Sequence, residues 1–188
     1  MASFLDRPLH ELRRRDRAIT DEAWIIDLLQ RLPMATIALQ SGGHPFVNSN
    51  LFAFDASTRS VVIHTAPFGR LIETVEAAPD GVPACLTAFE MGRLLPADRA
   101  KEFSVEYNSV TAFGTLRRLT DPDAIAEGLQ ALMDKYAPHL QPGTDYAPAS
   151  DEEIRTTGTF CFSIDTWSAK QKAAPADFPG AYLYDDVT

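Results

Sequence analysis

Apolar positions along the chain follow two different periods. Ile25, Leu28, Leu29 and Leu32 recur at helical spacing, and Pro33 ends the run. Thr20, followed by Asp21 and Glu22, marks the start, because a hydroxyl can cap the free N–H groups and acids suit the positive end of the dipole. From residue 35 to residue 65 the period falls to two. ATIALQ, PFVNSNLFAFD and SVVIHTA are separated by turn formers at 41–43 and 56–58, which predicts three antiparallel strands in a meander. Beyond Gly69, the residues Leu71, Ile72 and Val75 fit one face of a short helix that stops before Pro79. ACLTAFEMG reads as a strand and LPADRAKE as a polar connector. SVEYNSVTAFGTLRRL follows as one long strand, in which Gly114 predicts a bend or a close backbone contact. Asp121-Pro122 opens a helix with Ile125, Leu129, Leu132, Met133 and Tyr136 on one stripe, closed by Pro138. Ser150 and Glu153 have the spacing of a capping box. In the last strand, TFCFSID, Phe160, Phe162 and Ile164 share a face, and an irregular arm with Pro175 and Pro179 follows Lys172.

About six strands joined by hairpins, with helices between and outside them, predict a mainly β fold: a closed or nearly closed antiparallel barrel with peripheral helices. A doubly wound parallel sheet is not supported, since neither GxGxxG nor a Walker pattern is present. At 188 residues and 20.7 kDa the chain fits a single domain, 1–188.

A net charge of −9 excludes a broad basic surface for nucleic acid or anionic lipid. The short cluster Arg13-Arg14-Arg15-Asp16-Arg17 reads as a solvated face or surface anchor, with a minor phosphate or subunit contact left open. The first residues lack the apolar core of a signal peptide and no run of 18 apolar residues occurs, so a cytoplasmic protein without a membrane span is expected. Cys85 and Cys161, each inside an apolar run and outside any CxxC pattern, read as buried free thiols.

Candidate chemistry begins at HTAPFGR, residues 64–70. A hydroxyl, loop N–H groups loosened by Gly69 and the Arg70 guanidinium at a helix start can hold a phosphate, although a plain strand-to-helix turn uses the same residues. His64 has no partner at metal-ligand spacing, which leaves a neutral ring at a strand end or one packed beside a cofactor. GxSxG is absent and no nucleophile is evident. Asn48-Ser49-Asn50 puts polar side chains on both faces of an otherwise apolar strand, so at least one points inward, either toward a heterocyclic ring or into a structural network. Ser109 and the segment from Trp167 to Lys170 add polar points on long strands.

Taken in order, RRRDRAIT, GGHPFVNSNLFAFD, VVIHTAPFGR, FSVEYNSVTAFG, ALMDKYAP and SAK resemble the FMN-binding split-barrel proteins, the pyridoxamine 5'-phosphate oxidase-like family, and within it the nitroimidazole-resistance (Nim-type) branch. The likeness runs from about residue 14 to residue 170, leaving 171–188 as a C-terminal arm. It implies a six-stranded antiparallel split β-barrel and a homodimer with FMN held between the subunits. Carried over, Thr65, Ala66, Gly69 and Arg70 would meet the flavin phosphate and ribityl chain, with His64 beside them. Asn48, Ser49 and Asn50 would line the ring, Ser109 and Val110 would contact it from the fifth strand, and Lys170, with Trp167, would come from the partner subunit. Two positions depart from the pattern: Leu71 stands where relatives often carry a basic residue, and Asn48-Ser49-Asn50 where they often carry an apolar-Pro pair. The implied activity is an FMN-dependent oxidoreductase passing electrons to a small nitroaromatic or quinone-like acceptor, the flavin supplying the redox chemistry. The alternatives are a non-catalytic flavin- or heme-binding module on the same fold, with His64 as the candidate axial ligand of a heme, and a structural dimer with an empty cleft.

Overall fold

The computed structural model describes residues 3–187. The first apolar stripe forms α1 (Glu22–Arg31), and its cap is Asp21 rather than Thr20: the Asp21 carboxylate accepts from the N–H groups of Ala23 and Trp24. A carboxylate there satisfies the free donors and faces the positive end of the helix dipole.

Eight strands form one sheet: β1 (Ala18–Ile19), β2 (Ala35–Ser41), β3 (His44–Asn50), β4 (Ala53–Asp55), β5 (Ser60–Thr65), β6 (Val82–Leu95), β7 (Ser104–Arg118) and β8 (Gly158–Lys172). Its order is β3-β2-β6-β7-β8-β5-β4, with β1 also pairing to β8, and every pairing is antiparallel. The count exceeds six for two reasons. A two-residue β1 joins the sheet, and PFVNSNLFAFD breaks at Leu51-Phe52 into two strands.

That break replaces the expected meander with two hairpins, β2–β3 and β4–β5, at opposite edges of the sheet. Three Cα steps from Asn50 to Ala53 span at most about 11 Å. The two edges therefore approach each other at this corner, and the sheet is rolled without its ladder closing, which is a split barrel. Phe52 anchors the corner, fully buried. The Tyr136 hydroxyl accepts from the Phe52 N–H at 2.9 Å and can donate to the carbonyl of Pro33 or Phe52. The Lys135 ammonium lies 3.6 Å from the centre of the Phe52 ring.

Alternate residues of the strands fill the inside, among them Ile37, Leu86, Val110, Leu116, Phe160 and Phe162. Leu28 and Leu29 of α1 join them, as do Leu71, Ile72 and Val75 of α2 (Arg70–Glu76). α3 (Pro122–Tyr136), capped by Asp121, crosses the outside of β5, where a side chain at Gly128 would press to 2.9 Å from Val62. α4 (Asp151–Thr156) carries the expected Ser150–Glu153 capping box. Gly114 sits at a register shift against β8, and a Cβ there would collide with the Ser163 carbonyl, as a glycine inside a long strand suggests. The two thiols are free and half-buried rather than buried. The irregular arm is tied back by Arg93, which donates to the carbonyls of Ala174, Pro175 and Ala176.

Candidate functional site

β5 ends at Thr65, and the loop that follows reaches Gly69, whose φ of +116° favours glycine. This turn delivers Arg70 as the first residue of α2. Thr74 holds α2 to the β2–β3 hairpin through a 2.7 Å contact with the Ser41 hydroxyl. The exposed Arg70 guanidinium stands 6.0 Å from the centre of the Phe46 ring on β3. Leu71, 4% exposed, turns into the core instead. The position after Arg70 thus serves packing, and Arg70 is the cation of the turn.

Register places Phe46, Asn48 and Asn50 on the same face of the hairpin as Leu39, Ile37 and Ala35. Two asparagines of the polar triplet therefore point inward, half-buried, and the Asn50 amide donates to the Asn48 side-chain oxygen. Ser49 points outward and meets the Thr36 hydroxyl at 2.8 Å. From Phe46 to Asn50 the edge strand runs about 13 Å, with Arg70 beside one end and two amides at the other. Among the described residues no strand lies beyond β3, so this line borders the open seam of the barrel.

His64 faces elsewhere. It lines a cavity of about 570 Å³ together with Leu129, Met133, Tyr146 and Glu153, outside the sheet and under α3. Thr159, its cross-strand partner, has a buried hydroxyl with no hydrogen-bond partner. The structure does not bring His64 to the Arg70 line.

Ser109 and Lys170 are direct cross-strand partners on β7 and β8 of one chain. Both lie on the outer face, opposite the inward Val110, whose side chain is fully buried and whose carbonyl accepts from the Thr87 hydroxyl at 3.1 Å. Trp167 packs within its own chain, 6.3 Å from Phe54 and beneath the Arg59 guanidinium at 4.1 Å. The outer face also carries a row that single-strand patterns do not reveal. Ser49, Thr36, Thr87, Thr111 and Ser168 stand side by side across β3, β2, β6, β7 and β8. Each hydroxyl occupies an unremarked alternate position, and only the pairing register aligns them. Beside the row, Phe89 opposite Ser109 is 68% exposed.

The expected residues therefore fall on three surfaces: the seam line of Arg70, Asn48 and Asn50, the outer face with Ser49, Ser109 and Lys170, and the cavity holding His64. Two strands, β2 and β6, separate β3 from β7, about 14 Å of sheet.

Fold and site together define a split-barrel protein with a polar, cation-ended line of side chains along its open edge. The chain belongs to the pyridoxamine 5'-phosphate oxidase family, whose profile matches residues 21–171. Among solved structures it is similar to a FAD and heme binding protein from Mycobacterium smegmatis, at 27% identity and a TM-score of 0.73 over 84% of this chain and 74% of that one. It is also similar to the flavocytochrome Anf3 from Azotobacter vinelandii, at 26% identity and 0.74 over 88% and 74%. A putative 5-nitroimidazole antibiotic resistance protein from Bacteroides thetaiotaomicron shares the fold at 17% identity, with a TM-score of 0.66 over 82% of this chain and 86% of that one. A search of curated proteins finds no match. Among the described residues no helix is long and apolar enough to cross a membrane.

Proposed function

We propose that the protein is a flavoprotein that binds FMN along the β3 seam and acts as an oxidoreductase on a small nitroaromatic or quinone-like acceptor. The observation that carries this reading is the line from Arg70 to Asn50: a cation with no carboxylate partner among the described residues at one end and paired amides at the other. The residues fit the group. Arg70, with the Thr65 hydroxyl and the loop N–H groups before Gly69, suits a phosphate, while Asn48 and Asn50 can donate to and accept from the edge of a heterocycle. The flavin, when bound, supplies the redox chemistry. The chain's own residues bind, orient and shield it, and Phe46 beside Arg70 keeps one side of the phosphate end apolar.

The placement of the remaining residues supports a homodimer as part of this reading. Ser109 and Lys170 lie on the outer face, about 14 Å of sheet away from β3, so a ligand touching them and the seam takes the two sets from two copies. Ser109 and Lys170, being cross-strand partners, then come from the same subunit. The relative named as a FAD and heme binding protein and the one named as a flavocytochrome support flavin binding in this fold.

The absorption spectrum of the purified protein, before and after adding FMN, is the test. Oxidised-flavin bands that bleach with a reductant and return on adding a nitroaromatic support the proposal. A protein that stays colourless and takes up no FMN sinks it. One observation favours a second ligand. The His64 cavity has apolar walls of Leu129, Leu132 and Met133, and one relative at 27% identity carries heme in its name. Heme bound there through His64 would give a Soret band that His64→Ala abolishes.

A further inference from the structure

The basic cluster near the N-terminus is not a uniform solvated face. Arg14 forms a two-point pair with Asp16, donating to Oδ1 at 2.8 Å and to Oδ2 at 2.5 Å, and Arg15 pairs with Glu11 at 2.6 Å. Arg17 differs, because its one hydrogen bond is to a neutral group, the Tyr107 hydroxyl at 3.2 Å, and its guanidinium lies 5.8 Å from the centre of that ring. Lys172, the cross-strand partner of Tyr107, donates to the Ser104 hydroxyl. Lys170 follows two residues before it on the same face, opposite Ala18 of β1. Arg17, Lys170 and Lys172 thus stand together on adjoining strands without carboxylate partners among the described residues, in a chain of net charge −9.

The nearby acids do not neutralise them. Glu106 is held by Arg93 and by the Ala174 N–H, which keeps its carboxyl down at about 2. Glu90 is taken by Arg31 and by the Asn108 amide. Asp16 is occupied by Arg14. Every carboxylate bordering the patch is matched inside the chain, so the local surplus is positive. Arg17 and Lys172 line a groove of about 390 Å³ together with the Arg14–Asp16 pair and Gln171, and Lys170 stands beside it, opposite the lining residue Ala18. One strand beyond Tyr107, the side chain of Met91 is 51% exposed, and Phe89 lies two residues before it.

We propose that this groove along β8 binds the diphosphate of an adenine nucleotide, with the exposed Met91 side chain of β6, beside Tyr107 and Lys172, as the floor for its base. Lys170 and Lys172 are about 7 Å apart along the strand, a spacing that spreads positive charge over two phosphates rather than one. Arg17 adds a forked donor beside them. The small groove and the acidic remainder of the surface disfavour a long polyanion. The nucleotide is either the adenylate half of a dinucleotide flavin whose ring lies in the seam, or that of a nicotinamide electron donor, and both share this diphosphate chemistry.

ADP is the probe. Titrated calorimetrically into the purified protein, it should bind, and Arg17→Ala and Lys172→Ala should each weaken it by about tenfold, the loss of one charge-assisted contact. FMN affinity and melting temperature should stay unchanged in both variants, and Lys172→Arg should keep ADP affinity. Absence of ADP binding at about 10 mM, a level well above useful nucleotide affinity, overturns the proposal, as does equal ADP affinity in the parent and both alanine variants. ADP binding requires no flavin, so failure of this site and failure of the flavin site register separately. If FAD binds more tightly than FMN by a margin the variants erase, the adenylate is the flavin's own. If FMN and FAD bind alike while ADP competes with NADPH, it belongs to the electron donor.

Discussion

Arg70 and Leu71 are neighbours in sequence and opposites in role. One points to solvent beside Phe46 and the other fills the core. With Leu71 given to packing, affinity for a flavin phosphate would concentrate on one side chain. Arg70→Ala should weaken FMN binding by on the order of 1.5–3 kcal/mol, measured by fluorescence titration, and unchanged affinity would remove Arg70 from the site. Lys135 offers a residue-level test of the fold. Burial against Phe52 pulls its ammonium down to about 8 from 10.5. Between those two values the unfolded chain binds the proton that the folded chain has released, so this residue's contribution to stability rises as pH increases from about 8 toward 10.5. Cys85, whose thiol burial pushes up, acts in the opposite sense over part of that range. The stability difference between the parent and Lys135→Met, followed by urea unfolding across this window, isolates the lysine. A flat difference would mean the ammonium is not desolvated.

At the scale of elements, the long β7–β8 ladder depends on the absence of a side chain at Gly114, where a Cβ would meet the Ser163 carbonyl. Gly114→Ala should cost on the order of 3 kcal/mol in thermal or urea unfolding, because backbone rather than a rotamer must move. That glycine was legible in the sequence, as were Asp121-Pro122, the Ser150–Glu153 box and the helical stripes, since each is a local signal. The cap of α1 was misplaced by one residue because Thr20 and Asp21 both offer a capping oxygen. The division of PFVNSNLFAFD was not legible at all: a β-rich run without a turn former does not show that its halves pair with β2 at one edge and β5 at the other. Register decides also which site residues meet. It placed two asparagines inward, Ser109 beside Lys170 and His64 under α3, none of which follows from spacing along one strand.

For the whole molecule, the seam and the outer face are the surfaces through which two copies would share a ligand. The protein should sediment at about twice its 20.7 kDa chain mass. Phe89→Asp, which sets a charge on the exposed outer face, should yield a folded monomer with the far-ultraviolet dichroism of the parent; a dimer that survives it would move the interface elsewhere. The hydroxyl row has a consequence for that association. Serine and threonine oxygens each give and accept, so a strip of them carries no sign that an identical strip could repel. Two strongly acidic chains can then meet across a neutral band while their like charges stay at the periphery. Adhesion of this kind has no charge pairing for salt to weaken, and salt screens the repulsion between the two acidic chains, so the association constant should hold or rise between dilute buffer and molar salt.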